Sequence, residues 1–231
     1  MIALADCNNF YVSCERVFKP WLNEKPVIVL SNNDGCAIAR SNEAKRLGIK
    51  MGAPYYQVKK LCQKNRVSVF SSNYELYGDM SKRVVSILMR FTSEAEIYSI
   101  DESFLKLDQI HNPIKVARKM RETVLKWTGI PISVGIGPTK TLAKMANRMA
   151  KKKDSGCLAV RESEKSLLGS VKVREVWGIG RRIEEKLKRI GILTALDLIN
   201  APAPIIRKVG GVHLERTQKE LQGRQCISIE Q

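Results

Sequence analysis

The sequence predicts an α+β fold: a ferredoxin-like βαββαβ sheet, an α/β segment inserted into it, and an all-helical C-terminal unit. Three observations predict it. Apolar runs of strand length alternate with long amphipathic stretches in the order strand, helix, strand, strand, helix, strand. Residues 8–72 stand between the first of these strands and the first long helix, and carry strand and helix patterns of their own. From residue 163 onward strand patterns cease and short helices follow, which puts a boundary near 165.

The elements follow in order. Residues 2–5 are an apolar run ending at Asp6, the pattern of a short buried strand. Phe10, Val12 and Val17 mark a helix over 9–19. A strand over 26–30 meets the turn signal Asn32-Asn33-Asp34-Gly35, and 36–39 returns from it. Ser41 caps a helix that Gly48 stops, and Pro54 starts another to about Lys64. A strand at 67–70 follows. Asn73 opens an amphipathic helix to about Phe91, with Met80, Val84 and Ile87 at helical spacing. Residues 96–100 and 104–107 are two short strands around Asp101 and Glu102. A helix over 113–127 and a strand over 131–136 complete the βαββαβ order, and a helix over 139–149 follows. A basic loop at 151–155 precedes a strand at 157–160. Trp21, Trp127 and Trp177 are expected in the core.

Composition excludes several classes. At 44% apolar and 27% charged, the chain is not disordered. Apolar runs such as 84–89 fall far short of the roughly 18 residues of a membrane span. The N-terminus has no basic stretch and an acid at its sixth position, so no secretory signal is expected. The six cysteines show no CxxC spacing, and with two histidines there is no zinc ligand set. Such cysteine usage suits a reduced cytoplasmic protein.

The net charge of +17 is concentrated. Residues 113–190 hold 20 basic and 7 acidic groups, against 15 and 12 in 1–112. A polyanion partner is the natural inference, because each Lys or Arg near a phosphate releases condensed counterions.

Three carboxylates carry candidate chemistry. Asp6 ends the first strand, and Asp101 and Glu102 sit between two strands that would pair next to it. Converging carboxylates repel unless a divalent cation neutralises them, and hard oxygen ligands suit Mg²⁺. Successive strand residues face opposite ways, so the chain must bend for Asp101 and Glu102 to serve one site. A second candidate is Gly178-Ile179-Gly180-Arg181-Arg182 with Lys186 behind it. A Gly turn between helices frees N–H groups that hold a phosphate, the form of a helix-hairpin-helix contact with nucleic acid.

These residues carry a resemblance. Asp6-Cys7-Asn8-Asn9-Phe10-Tyr11, Tyr98-Ser99-Ile100-Asp101-Glu102, and Val134-Gly135-Ile136-Gly137 with Lys140 and Lys144 resemble the Y-family translesion DNA polymerases. Ser31 to Cys36, Phe70 to Tyr77, and Val176 to Arg182 are similar to the UmuC-like branch, the catalytic subunit of DNA polymerase V. The resemblance implies a catalytic palm over 1–22 and 73–165, fingers over 23–72 and a helix-hairpin-helix thumb over 166–231. It implies metal ligands at Asp6, Asp101, Glu102 and the Cys7 main-chain carbonyl. Two Mg²⁺ ions would activate the primer 3′-OH and stabilise the pyrophosphate leaving group. The steric gate against ribonucleotides maps onto Tyr11. Asn9, Phe10, Tyr11, Asn42, Lys45 and Lys151 would bind the dNTP. Asn42 and Lys45 stand where many members have Tyr and Arg, and a Lys lacks the bidentate fork of Arg. Gly178, Gly180, Arg181, Arg182 and Lys186 would hold primer–template DNA. A UmuD′-like protein and RecA are the implied partners, in SOS mutagenesis and DNA repair. The family's C-terminal little finger and a sliding-clamp peptide have no match in these residues.

Two main readings stand at this stage. One is the core of an error-prone DNA polymerase. The other is a non-catalytic DNA-binding or regulatory fragment, against which the three acids and Tyr11 argue. A nucleotide cyclase shares the half-barrel but not the hairpin or the basic stretch.

Overall fold

The computed structural model describes residues 1–107, 111–160 and 162–230. Strand β1 (Ile2–Cys7) leads into helix α1 (Phe10–Phe18). An inserted segment follows with β2 (Val27–Leu30), β3 (Ala37–Arg40), α2 (Asn42–Arg46), α3 (Tyr55–Lys64) and β4 (Ser68–Phe70). Next come α4 (Tyr74–Leu88), β5 (Ala95–Ile97), β6 (Glu102–Lys106), α5 (Pro113–Thr128), β7 (Ile132–Gly137), α6 (Lys140–Ala150) and β8 (Cys157–Ala159). Helices α7 (Arg181–Arg189), α8 (Ala195–Asn200) and α9 (Ala203–Leu221) close the chain after short 3-10 segments.

The main sheet runs β5-β6-β1-β7-β8. Its first four strands are antiparallel neighbours in the ferredoxin-like order, and β8 adds a parallel edge to β7. The two faces of β1 divide the molecule. Ala3, Ala5 and Cys7 enter the large core with Val84, Ile87 and Met120 from α4 and α5. Ile2 and Leu4 face the other way, against Phe104 and Ala143 of α6. This is period-two alternation with both faces covered.

Helix α6 lies unusually close to the sheet, and glycine permits it. A Cβ at Gly135 would stand 1.9 Å from the Asn147 nitrogen, and one at Gly137 would stand 2.7 Å from Leu142 Cβ. Asn147 uses the proximity, donating its side-chain amide to the carbonyls of Leu4 (3.1 Å) and Ser133 (2.8 Å). The helix is thus tied to β1 and β7 at once.

The insertion folds on its own sheet, β3-β2-β4, with a separate core around Ile28, Ala37, Ile49 and Cys62. The C-terminal helices bury Val171, Val176, Leu187, Leu198 and Leu214 together with Leu142 and Met145 of α6. Helix α6 therefore belongs to two cores.

The structure departs from expectation at four places. The strand expected over 96–100 stops at Ile97, residues 98–101 turn, and Glu102 opens β6 rather than standing between strands. The helix expected to Phe91 ends its α-helical part at Leu88 and finishes as a 3-10 turn. The C-terminal unit holds a 19-residue helical run, kinked at Gly211 with φ 69°, where only short helices were expected. Trp21 and Trp127 are 63% and 53% exposed and so are not core residues, whereas Trp177 is half-buried. Aromatic type alone did not reveal which side of a helix each ring would take.

Candidate active site

The site grows from the β1–β6 ladder. Asp6 is the cross-strand partner of Glu102, and both sit on the face that carries Leu4 and Phe104, under α6. Asp101 has the opposite parity, and the expected bend is present. Ser99 Oγ accepts from the Glu102 nitrogen (3.1 Å) and donates to Asp101 Oδ1 (2.8 Å). Tyr98 and Ser99 both donate their N–H to the Glu102 carbonyl at 3.1 Å. The Cys7 nitrogen donates to the Asp101 carbonyl at 2.9 Å, which locks the turn to the end of β1.

Asn9 adopts a left-handed conformation, φ 49° and ψ 45°, just before α1. Asn tolerates that region better than most residues. The turn swings Phe10 and Tyr11 to the cleft. The Tyr11 ring stacks on Tyr77 at 4.3 Å between centroids and 13° between planes. Buried Tyr77 is itself fixed, donating its hydroxyl to Glu15 at 2.9 Å. The facing wall comes from the insertion. Lys45 Nζ donates to Asn9 Oδ1 (2.6 Å), and Asn9 Nδ2 donates to Asn42 Oδ1 (3.1 Å).

Together these walls enclose a cleft of about 530 Å³ lined by Asp6, Cys7, Asn9, Phe10, Tyr11, Asn42, Lys45, Asp101, Glu102 and Lys151. The structure thus brings every predicted metal and nucleotide residue to one cavity, of a size that takes a small-molecule ligand. The predicted nucleic-acid residues stand elsewhere. Gly178 and Gly180 are exposed, with Gly180 as the N-cap of α7, and Arg181, Arg182 and Lys186 project from that helix on an open surface.

Burial pushes the Asp6 carboxyl up to about 6, against the pull of Lys151, whose ammonium donates to Asp6 at 2.5 Å. Glu102 and Asp101 push it the same way by charge repulsion. Burial, then the charges of Arg40 and Lys151, holds Lys45 below the usual lysine range. Burial also raises the Cys7 thiol well above its ordinary value, so its side chain stays neutral in the metal-free protein. Among the described residues, no three His, Cys, Asp or Glu side chains form a group able to hold a metal ion as they stand. Lysines account for part of this: Glu102 takes Lys144 on both oxygens (3.0 and 2.9 Å), as Asp6 takes Lys151. The acids share one cleft but not yet one cluster.

Sequence reasoning missed two side chains here. Arg40 lines the cleft, donates Nη1 to the Ile49 carbonyl at 2.8 Å, and leaves its buried Nε without a partner. Its position at the end of β3, just before the Ser41 cap, was the available signal. Lys144 stood in the motif with Lys140 but was given no role. Its i+4 spacing from Lys140, on a helix packed over the acid-bearing strands, would have revealed it.

The model of the impB/mucB/samB family matches residues 5–148, and that of the IMS family HHH motif matches 161–192. The chain is 50% identical to protein ImpB of Salmonella typhimurium over its full length, covering 57% of that protein. It is 49% identical to protein UmuC of Salmonella typhimurium strain LT2, again across the whole chain and 57% of the relative. The chain therefore spans little more than half the length of these relatives. A structure described as the insertion ternary complex of Dbh DNA polymerase superposes with a TM-score of 0.86 and 26% identity, covering 100% of this chain and 70% of that one.

Proposed function

This chain belongs to the impB/mucB/samB family, and on that premise we propose that it is the core of an error-prone translesion DNA polymerase. It transfers a nucleotidyl group from a dNTP to a primer 3′-OH under the direction of a template. The observation that carries the reading is the single cleft in which three carboxylates meet Tyr11, Lys45 and Lys151. In this reading 1–22 and 73–165 are the palm, 23–72 the fingers and 166–231 the thumb.

The donor set fits a divalent metal. Asp6, Asp101 and Glu102 offer hard carboxylate oxygens, and Cys7 its carbonyl. These residues would hold two Mg²⁺ ions. The chemistry such ions supply when bound is a more acidic primer hydroxyl and a neutralised pyrophosphate. The remaining work falls to this chain's own side chains. Lys45 and Lys151 set positive charge on opposite walls, where a triphosphate would lie. The Tyr11 ring, held flat by Tyr77, occupies the space a ribose 2′-OH would need. The Asn9 turn keeps both in register with Asp6.

The exposed Gly178–Gly180 turn and the basic face of α7 would hold primer–template DNA through phosphates, so binding should weaken steeply with salt. A UmuD′-like protein and RecA are the partners this reading proposes, in SOS mutagenesis. Among the described residues no helix is long and apolar enough to cross a membrane.

Primer extension at low salt with Mg²⁺ and four dNTPs tests the reading, comparing the wild type with Asp101→Ala. Extension by the wild type alone is expected. DNA binding without extension by either protein would overturn it in favour of an inert binding fragment.

A further inference from the structure

Lys144 is held on more sides than a surface lysine needs. Its ammonium donates to both oxygens of Glu102. The same ammonium lies 4.3 Å from the Tyr98 ring centre and 5.1 Å from that of Trp177, with Phe104 behind at 5.8 Å. Tyr98 and Trp177 meet edge to face, 5.6 Å apart at 90°, so the two rings brace each other. They come from different parts of the chain. Tyr98 belongs to the turn that sets Asp101, while Trp177 lies in the C-terminal unit just before the Gly178–Gly180 turn. A second contact ties that unit to α6, where Arg148 pairs with Glu175 at 2.7 Å.

Two demands meet at Glu102. Lys144 occupies both of its oxygens, and a hard cation would need at least one of them. A lysine displaced by that cation would remain beside it as a like charge. Aromatic faces offer an ammonium an alternative electrostatic seat, Trp best of all. A cavity of about 270 Å³ bordered by Glu102, Lys144 and Trp177 gives the side chain room to leave the carboxylate without leaving the rings.

We propose that Tyr98 and Trp177 form an aromatic seat that keeps Lys144 when Glu102 turns its oxygens to a divalent cation. Trp177 is then a positioning residue that acts on Glu102 through Lys144, and it couples the docking of the C-terminal unit to the loading of the cleft. The inference rests on the reading of Glu102 as a metal ligand.

The test uses the full chain and Mg²⁺ alone, without DNA or nucleotide. Trp21→Phe and Trp127→Phe, both at exposed positions outside the cleft, leave Trp177 as the sole tryptophan, to be excited selectively over tyrosine. The melting temperature and the Trp177 emission are followed together as Mg²⁺ is added. Both should respond with one midpoint, and Glu102→Gln should abolish both responses. With melting temperature as the readout, Trp177→Leu should raise the Mg²⁺ midpoint roughly 3- to 30-fold, the worth of one cation–π contact, while Trp177→Phe stays near the wild type. Lys144→Met, which removes the competing cation, should lower the midpoint and make it insensitive to Trp177→Leu. If Trp177→Leu alone does not fold, the Trp177 emission decides the matter: Lys144→Met should abolish its response to Mg²⁺, and a response that persists would overturn the proposal. A melting temperature that rises while Trp177 emission stays flat would overturn the proposal alone, as would an unchanged midpoint in Trp177→Leu. A wild type whose melting temperature ignores Mg²⁺ would overturn the metal reading of Glu102 and the proposal with it.

Discussion

The two ends of helix α6 use the same chemical pair for opposite purposes. At its start, Lys140 pairs with Glu96 with side chains 2% and 12% exposed, and the ammonium also faces the Phe104 ring. One turn on, Lys144 holds Glu102, and at the far end Lys151 holds Asp6 while 41% exposed. A buried ion pair is costly to break, because the survivor keeps its charge in a dry place. An exposed one is cheap, since water replaces the partner. The closed end therefore fixes the helix against the sheet. The open end presents acids whose lysines can be exchanged for another cation. What differs is access to solvent, not residue type.

The largest effect should come from removing the close approach that sets up both ends. Gly135→Ala places a Cβ against the α6 backbone, where only the whole helix can yield. A loss of about 4 kcal/mol or more is expected, or no folded protein at all, by urea denaturation. A mild effect would show that α6 can be lifted without cost, and the comparison of its ends would lose its frame.

Next, Lys140→Met leaves Glu96 charged at the closed end. We expect a loss of about 3 kcal/mol, largely restored by adding Glu96→Gln, as a double-mutant cycle would measure. The restoration is the sharper part. A structural pair should tolerate neutral replacements, whereas a catalytic one would not.

At the open end the sign reverses. The Asp6 carboxyl is raised from an ordinary 3.8 to about 6, chiefly by burial. A raised value means that its contribution to stability is fully present below 3.8 and is lost as the pH rises through 6. At pH 7.5 the ionised acid therefore costs the metal-free protein stability. Asp6→Asn should stabilise it by about 2 kcal/mol at that pH, in the presence of a chelator. The gain should fade as the pH falls through 6 and vanish near 3.8. A gain that does not depend on pH would mean that the burial of Asp6 carries no electrostatic cost.

The sequence made the acids legible before the structure did. Period-two alternation set Asp6 at a strand end, and the Asp101-Glu102 pair required a bend that Ser99 supplies. The order of elements predicted the ferredoxin-like sheet, because short apolar strands and amphipathic helices are local signals. Lys140 and Lys144 were legible as part of a motif and Lys151 as a nucleotide contact, but their carboxylate partners were not. Nothing local says which carboxylate a lysine reaches, since Lys144 and Glu102 are 42 positions apart and Lys151 and Asp6 are 145 apart. Only the Gly135 approach brings them together. Arg40 was hidden for the same reason, as its place in the cleft depends on how the insertion packs against α1. The kink at Gly211 was missed because a glycine within a helical pattern is often tolerated.

The smallest effect on stability, and the most informative, should come from Lys151→Ala. Its side chain is 41% exposed, and below pH 6 the buried Asp6 it leaves behind can take up a proton, so there losing the pair should change metal-free stability by less than about 1 kcal/mol. Yet Lys151 is the main influence holding Asp6 down against burial. Without it the Asp6 carboxyl should titrate above 6, so the pH below which Mg²⁺ ceases to raise the melting temperature should move upward. Adding Asp6→Asn should abolish that shift, because the group that titrates is gone. The lysine would then be a stand-in charge at the open end, adjusting when the acid is available to a metal without bearing the load that Lys140 carries. If Lys151→Ala instead destabilises as much as Lys140→Met, the two ends of the helix are equivalent and exposure does not divide their roles.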